Sequence, residues 1–92
     1  MLVVTYDIKD DKLRTQFSRL LKKYGYRLQY SVFTIKNSDR IMRIIIDEIR
    51  HKFEKNFSNS DSIIIFRFSM SSIDKMLKFG FAKNMDDDIV FL

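Results

Sequence analysis

The chain has 92 residues, with 17 Lys or Arg, 12 Asp or Glu and a net charge of +5. It is long enough for one domain, and it buries only about 60–65% of the surface of its unfolded form, so pairing with a second copy would enlarge its core. Cysteine is absent, which excludes disulfides and thiolate metal sites. No apolar run reaches the ~18 residues of a membrane span and no signal peptide is visible, so we expect a cytoplasmic protein without membrane contact. The basic balance favours nucleic acid as a partner, although a well-solvated cationic surface has the same composition.

The first predicted element is a β-branched apolar strand over residues 2–8, with Asp7 near its end. An acid at the C-terminal end of a central strand points out of the sheet edge, where α/β and α+β domains keep their chemistry. Asp7 is therefore a candidate ligand for Mg²⁺, which prefers carboxylate and water oxygens. A second copy of the chain could bring its own Asp7 to the same ion. The alternative is that Asp7 only caps the following turn.

A helix follows, with Asp10 or Asp11 as N-cap and Gly25 as a left-handed C-cap. Asp10 and Asp11 could add metal ligands, but acids in a first helical turn also match the helix dipole. One face of the helix is apolar and the opposite face is basic. Arginine suits bidentate contacts with phosphate, whereas the alternative is an ordinary solvated helix face. The candidate nucleic-acid contacts are Lys12, Arg14, Arg19, Lys22, Lys23 and Arg27.

In the middle of the chain, residues 26–36 alternate like a strand but change phase. A period of two cannot shift without a bulge or a break, so we predict two short strands or one sharply bent strand, pivoting between Gln29 and Phe33. A second helix over 39–56, capped by Asn37 or Ser38, carries an apolar stripe at i+4 intervals that predicts a core face. The run within 62–68 predicts a strand buried on both faces.

Towards the C-terminus, alternating apolar residues at 77–81 predict a further strand. The acids at 86–88 are either metal ligands or, more simply, a solvated connector, because they lack the glycine and spacing of a calcium loop. The order β-α-β(β)-α-β-β-β predicts an α+β ferredoxin-like βαββαβ sandwich. Residues 1–92 then form a single domain, with a core over about 1–81 and a C-terminal strand at 86–92 exchanged onto a partner protomer.

Several segments together resemble the Cas2 family of CRISPR-associated proteins, over residues 2–92. Their order and spacing carry the resemblance, since each alone is modest. The matching segments are Val4-Thr5-Tyr6-Asp7-Ile8, Asp11-Lys12-Leu13-Arg14, Leu20-Leu21-Lys22-Lys23-Tyr24-Gly25, Gln29-Tyr30-Ser31-Val32-Phe33 and Asp61-Ser62-Ile63-Ile64-Ile65-Phe66.

The resemblance implies a ferredoxin-like homodimer that takes part in spacer acquisition, bridges CRISPR integrase (Cas1) subunits and holds duplex DNA. It also implies a metal-dependent endonuclease acting on RNA or DNA, with Asp7 as the Mg²⁺ ligand. Tyr6, Arg14, Arg27 and Phe33 fall on other positions that parts of the family use in function. A further helix arginine of the family is Gln16 here, which weakens catalysis more than phosphate-backbone contacts, because such contacts are redundant. A purely architectural scaffold and a free-standing endoribonuclease toxin of the VapD type are the alternatives.

Overall fold

A computed structural model of the chain describes residues 1–68 together with Leu77 and Phe79. The predicted helix over 39–56 is confirmed, since helical structure begins at Asp39 and continues through a π-helical turn and a 3₁₀ turn to Asn56. The predicted strand at 77–81 and the terminal strand at 86–92 lie outside the described residues, apart from Leu77 and Phe79. The elements are β1 (Leu2–Asp7), α1 (Asp11–Lys22), β2 (Gly25–Gln29), β3 (Val32–Ile35), α2 (Asp39–Glu48) and β4 (Ser62–Arg67).

The four strands form one antiparallel sheet in the order β2-β3-β1-β4. β1 is central, and Val4 pairs with Phe33 on one side and with Ile65 on the other. Two helices and four strands in this arrangement confirm the predicted α+β, ferredoxin-like class. No helix in the described part of the chain is long and apolar enough to cross a membrane.

The side of the sheet that faces the helices holds the main core. Phe17 of α1 contacts Tyr6 of β1 and Phe53 at the end of the second helical segment, with both ring centroids 5.1 Å away. The apolar stripes predicted for both helices are the residues that pack here. The buried members of this core are Leu2, Val4, Tyr6, Ile8, Leu13, Phe17, Leu20, Leu21, Phe33, Ile35, Ile41, Ile45 and Phe53.

Both predicted N-caps form. Asp10 Oδ2 accepts a hydrogen bond from the Leu13 amide at 2.8 Å, and Ser38 Oγ accepts one from the Ile41 amide at 3.3 Å. Each side chain satisfies an amide of the first turn that has no partner within its helix. Of the two candidates, Asp10 is therefore the N-cap of α1, and its Oδ2 is occupied by the Leu13 amide.

Gly25 does not cap α1. The helix ends at Lys22, its C-cap residue Lys23 has a right-handed conformation, and Gly25 begins β2 without a left-handed φ. Its role comes from the sheet, because a Cβ at this position would lie 1.9 Å from the Thr34 carbonyl oxygen. The predicted C-cap is wrong, and the glycine instead permits a close approach of β2 to β3.

The β2–β3 hairpin confirms the two-strand interpretation of the phase change. β2 ends at Gln29 and β3 begins at Val32, so Tyr30 and Ser31 form the connection. The register also shifts between Arg27 and Gln29, which is a β-bulge. The hairpin tip therefore projects beside the end of β1.

The prediction that β4 is buried on both faces is wrong for the described chain. Ile64 is 50% exposed and Phe66 is 45% exposed, while Ile63 and Ile65 pack against the main core. The helices cover one side of the sheet only, and β4 lies at its edge. We call the other side the open face; its buried members are Met1 and Val3, with Tyr26, Leu28, Val32 and Phe68 packed against them.

Candidate nucleic-acid site at the end of the first strand

Asp7 ends β1 with 61% of its side chain exposed. Lys9 reaches back to it, with Lys9 Nζ 2.9 Å from Asp7 Oδ1 and 3.2 Å from Oδ2. Both carboxylate oxygens are thus paired with one ammonium group, a contact the sequence analysis did not anticipate. An exposed ion pair is worth about 0–1 kcal/mol. Another cation at Asp7 would therefore have to displace Lys9, but at a small cost.

Asp61 holds the backbone of the loop that follows Asp7. Its Oδ1 accepts a hydrogen bond from the Lys9 amide at 2.9 Å, and its Oδ2 accepts one from the Ser58 amide at 2.8 Å. These bonds, that from Ser58 first and that from Lys9 second, lower the pKa of Asp61. Asp61 directly precedes Ser62, which pairs with Asp7 in the sheet. One carboxylate therefore fixes the β1–α1 loop against the start of β4.

Arg14 ties α1 to the same loop. Its Nη1 donates to the Ile8 carbonyl at 3.0 Å, and its Nη2 contacts Asp11. The interaction with Asp11 is the main reason that the pKa of Arg14 is raised. Asp11 is thus a first-turn acid paired with Arg14, and Arg14 keeps 26% of its side chain exposed for a contact with a ligand.

Tyr6 and Phe33 form a buried aromatic pair next to Arg27. Tyr6 is 5% exposed and Phe33 is fully buried, with ring centroids 6.2 Å apart. Burial raises the pKa of Tyr6, although the neighbouring Arg27 acts in the opposite direction. The Arg27 guanidinium lies 5.2 Å from the centre of the Phe33 ring. Phe33 is therefore placed to orient Arg27 and is itself shielded from solvent.

The residues suggested by the family resemblance come from three neighbouring elements. Asp7 comes from β1, Arg14 from the first turns of α1, and Arg27 from the hairpin that also contains Phe33. The hairpin tip is joined to β1, because the Tyr6 amide donates to the Ser31 carbonyl at 3.1 Å. Arg14 and Arg27 both lie near Tyr6, on the side of the sheet that faces the helices, whereas Asp7 lies on the open face at the end of β1.

The predicted basic residues of α1 do not form one cluster. A helix of 12 residues is about 18 Å long. Lys12 and Arg14 lie at the end nearest Asp7, whereas Arg19, Lys22 and Lys23 occupy the far half. Arg19 and Lys23 instead line a groove of ≈ 350 Å³ between the two helices, opposite Lys52. The basic surface is therefore a stripe along the helix rather than a single patch.

A metal site requires more ligands than the described part of the chain contributes. Within residues 1–68, Leu77 and Phe79, no group of three His, Cys, Asp or Glu side chains could hold an ion. Asp7 offers hard oxygens exposed to solvent, which suit Mg²⁺ when water, phosphate or a second protein chain supplies the other ligands. The acids at 86–88 lie outside the described residues. Asp7 thus fits Mg²⁺ as one ligand of a shared site.

Sequence reasoning missed Lys9, Asp61 and Tyr30, whose places in the site depend on folding. Lys9 follows Asp7 by two residues, which is a local signal for an ion pair. Asp61 ends a polar turn immediately before a strand, but its bond to Lys9 spans 52 residues. Tyr30 lies within the segment Gln29-Tyr30-Ser31-Val32-Phe33, which does not by itself indicate exposure; the hairpin turn leaves Tyr30 69% exposed.

Solved structures with this fold include two close in size to the chain. A structure described as a hypothetical protein TT1823 from Thermus thermophilus superposes with a TM-score of 0.74 at 27% identity, covering 89% of this chain and 92% of that one. Cas2 of Streptococcus pyogenes superposes with a TM-score of 0.69 at 21% identity, covering 86% and 98%. The second likeness bears on the fold alone.

Comparison of sequences identifies the family. A protein named CRISPR-associated endoribonuclease Cas2 3 from Chloroflexus aurantiacus is 31% identical over 92% of this chain and 88% of its own length. One named CRISPR-associated endoribonuclease Cas2 2 from Methanospirillum hungatei is 33% identical over 86% and 84%. The family model described as CRISPR associated protein Cas2 matches residues 1–76. The chain therefore belongs to the Cas2 family of CRISPR-associated proteins.

Proposed function

We propose that this protein is a homodimeric nucleic-acid-binding protein of CRISPR adaptation, with metal-dependent endonuclease activity centred on Asp7. The observation that carries the proposal is the exposed carboxylate of Asp7 at the end of β1, with Arg14 bound to the carbonyl of the next residue, Ile8. The guanidinium groups of Arg14 and Arg27 suit a phosphodiester, whose oxygens they can neutralise. The names of the relatives from Chloroflexus and Methanospirillum, both endoribonucleases, support a nuclease.

The open face supports dimerisation. Ile64 and Phe66 are about half exposed there, and the Phe66 and Phe68 rings stack with centroids 6.0 Å apart. Alternate residues of a strand share a face, so Asp7 lies on the same side as Val3. A second copy covering this face would bury the apolar side chains and bring a second Asp7 towards the first. Exchange of residues 86–92 stays a prediction, tested by deleting them and measuring the dimer by sedimentation.

Asp7 is the residue that would hold Mg²⁺, together with Asp7 of a second copy of the chain. A bound divalent cation supplies a Lewis acid and a water molecule of lowered pKa. Arg14 and Arg27 would bind phosphates of the strand, which contributes orientation and charge neutralisation. Tyr6 and Phe33 support this geometry from below: Tyr6 anchors the hairpin through its bond to the Tyr30 carbonyl, and Phe33 packs under Arg27.

The basic stripe along α1 supports binding of duplex DNA through its phosphates, and the proposed cellular role is to bridge integrase subunits during spacer acquisition. The stripe comprises Lys12, Arg19, Lys22 and Lys23. Phosphate contacts release counterions, so the affinity for duplex should fall steeply with salt, with a log–log slope near −0.9 per contact. A flat salt dependence contradicts this mode of binding. Co-purification with the candidate integrase, read by mass, tests the bridging role directly.

A scaffold without catalysis is the second candidate, and Lys9 is the observation that favours it. Because Lys9 Nζ already pairs with both oxygens of Asp7, the carboxylate is neutralised without a metal ion. Replacing Lys9 by Met removes this competing cation. On the nuclease proposal, Lys9→Met binds Mn²⁺ more tightly than the wild type, as measured by calorimetry, whereas Lys36→Met, at the opposite end of the sheet, does not. Equal and negligible Mn²⁺ binding by all three proteins supports the scaffold.

A further inference from the structure

Tyr30 is a large aromatic residue that the fold leaves in solvent. It lies in the two-residue connection between β2 and β3 and is 69% exposed. Its backbone is nevertheless fixed, since its carbonyl accepts a hydrogen bond from Tyr6 Oη at 3.5 Å and the next carbonyl, of Ser31, accepts the Tyr6 amide. The ring is therefore presented to solvent from an anchored position, without a packing role that explains its size.

Two arginines flank this ring. The Arg27 guanidinium carbon lies 6.0 Å from the centre of the Tyr30 ring and 5.2 Å from that of Phe33, so it sits between an exposed and a buried aromatic. Tyr30 is also, after Asp11, among the groups that raise the pKa of Arg14. An aromatic surface open to solvent thus stands beside two cations that face the end of β1.

We propose that Tyr30 is a stacking platform for an unpaired nucleobase whose phosphate is held by Arg27 and Arg14. The inference rests on the proposed nucleic-acid binding and adds a substrate class to it: strands with unpaired bases, such as single strands or duplex ends. Bases inside a duplex are stacked on both faces by their neighbours and offer no surface to Tyr30. Stacking tolerates any base because each has a π-face, so this contact selects unpaired strands without selecting sequence.

The chain contains no tryptophan, so Tyr30→Trp introduces a single fluorescent reporter at the proposed platform. Titration with a short single-stranded oligothymidylate should quench this fluorescence, while a blunt duplex longer than the protein should leave it nearly unchanged. Stacking is worth about 1–3 kcal/mol per base, so Tyr30→Leu should weaken oligothymidylate binding about tenfold. Duplex binding by the same variant should not change.

Two further variants separate stacking from a general disturbance of the hairpin. Tyr30→Phe keeps the ring and should restore the affinity for the single strand. Gln29→Leu changes the neighbouring exposed residue and should bind as the wild type does. Equal affinity of Tyr30→Leu and wild type for the single strand overturns the inference, as does an unquenched reporter in a complex that has formed. Binding of duplex but not of single strands also overturns it and leaves the proposed function standing, whereas binding of neither refutes both.

Discussion

The two faces of the sheet differ in how completely this chain covers them. The face towards the helices is closed by a continuous core, in which Phe17 joins Tyr6 and Phe53 through edge-on ring contacts. The open face buries the apolar side chains of Met1 and Val3 but leaves Ile64 and Phe66 about half exposed. The first face accounts for the fold of one protomer. The second face leaves apolar side chains uncovered by the described chain, and a protein partner that bound there would bury them.

Asp7 connects these two faces. Its strand forms the centre of the covered core, but its own side chain alternates onto the open side with Val3. The loop that follows is fixed by hydrogen bonds to Asp61 and Arg14, so the backbone next to Asp7 has a defined position. The folding core thus positions the carboxylate that the proposed dimeric site would use.

The largest effect should come from the covered face. Phe17→Ala removes a fully buried ring that bridges both helical segments and β1. The free energy of unfolding should fall by about 3–5 kcal/mol, the usual range for Phe→Ala in a core. Urea denaturation measures it, with the exposed Thr15→Ala on the same helix as a control. A loss as small as that of the control would show that the helices do not close this core.

A smaller effect on folding, but a larger one on association, should come from the open face. Phe66→Ser removes an exposed ring of β4 while keeping the strand, so far-ultraviolet circular dichroism should change little. The dimer dissociation constant should rise at least about tenfold, as expected for an aromatic anchor at an interface. Sedimentation measures this, with Arg43→Ala on the exposed side of α2 as a control. A variant that dimerises as the wild type does would remove the open face as the interface.

The smallest effect should be a pH dependence from Asp61. Hydrogen bonds from the Ser58 and Lys9 amides lower its pKa in the folded state. Its contribution is therefore fully present above the unfolded pKa of about 3.9 and is lost as the pH falls through the lower folded value. Melting temperatures measured across this acidic range should show that Asp61→Asn flattens the decline seen in the wild type. An unchanged decline would mean that other carboxylates cause it.

Local patterns predicted the elements and their order well. The helical spacing of Leu13, Phe17 and Leu20 identified the buried face of α1. Each N-cap was narrowed to two neighbouring residues, one of which, Asp10 or Ser38, forms the cap, because capping acts within one turn. These signals are contained in short windows, so they survive without knowledge of the fold. The class of the fold followed from the order of the elements.

The errors and omissions depend on contacts distant in sequence. The apolar sequence of β4 predicts burial on both faces. Whether its second face is covered depends on where the helices pack and on any protein partner. The role of Gly25 depends on its approach to Thr34, and the clamp of Asp61 on Lys9 joins residues far apart in the chain. The exposure of Tyr30 follows from the position of the hairpin turn. None of these partners can be read from a neighbouring residue.

The central claim is that the end of β1 is the chemical centre of the protein. Asp7→Asn keeps the size of the side chain but removes its charge, and the measurement is the rate at which wild type and variant cleave the same RNA and DNA strands at equal Mg²⁺ concentration and pH. The account predicts that the variant loses Mg²⁺-dependent cleavage while its fold, by circular dichroism, and its salt-dependent affinity for duplex stay nearly unchanged. Cleavage by Asp7→Asn as fast as by wild type would contradict it.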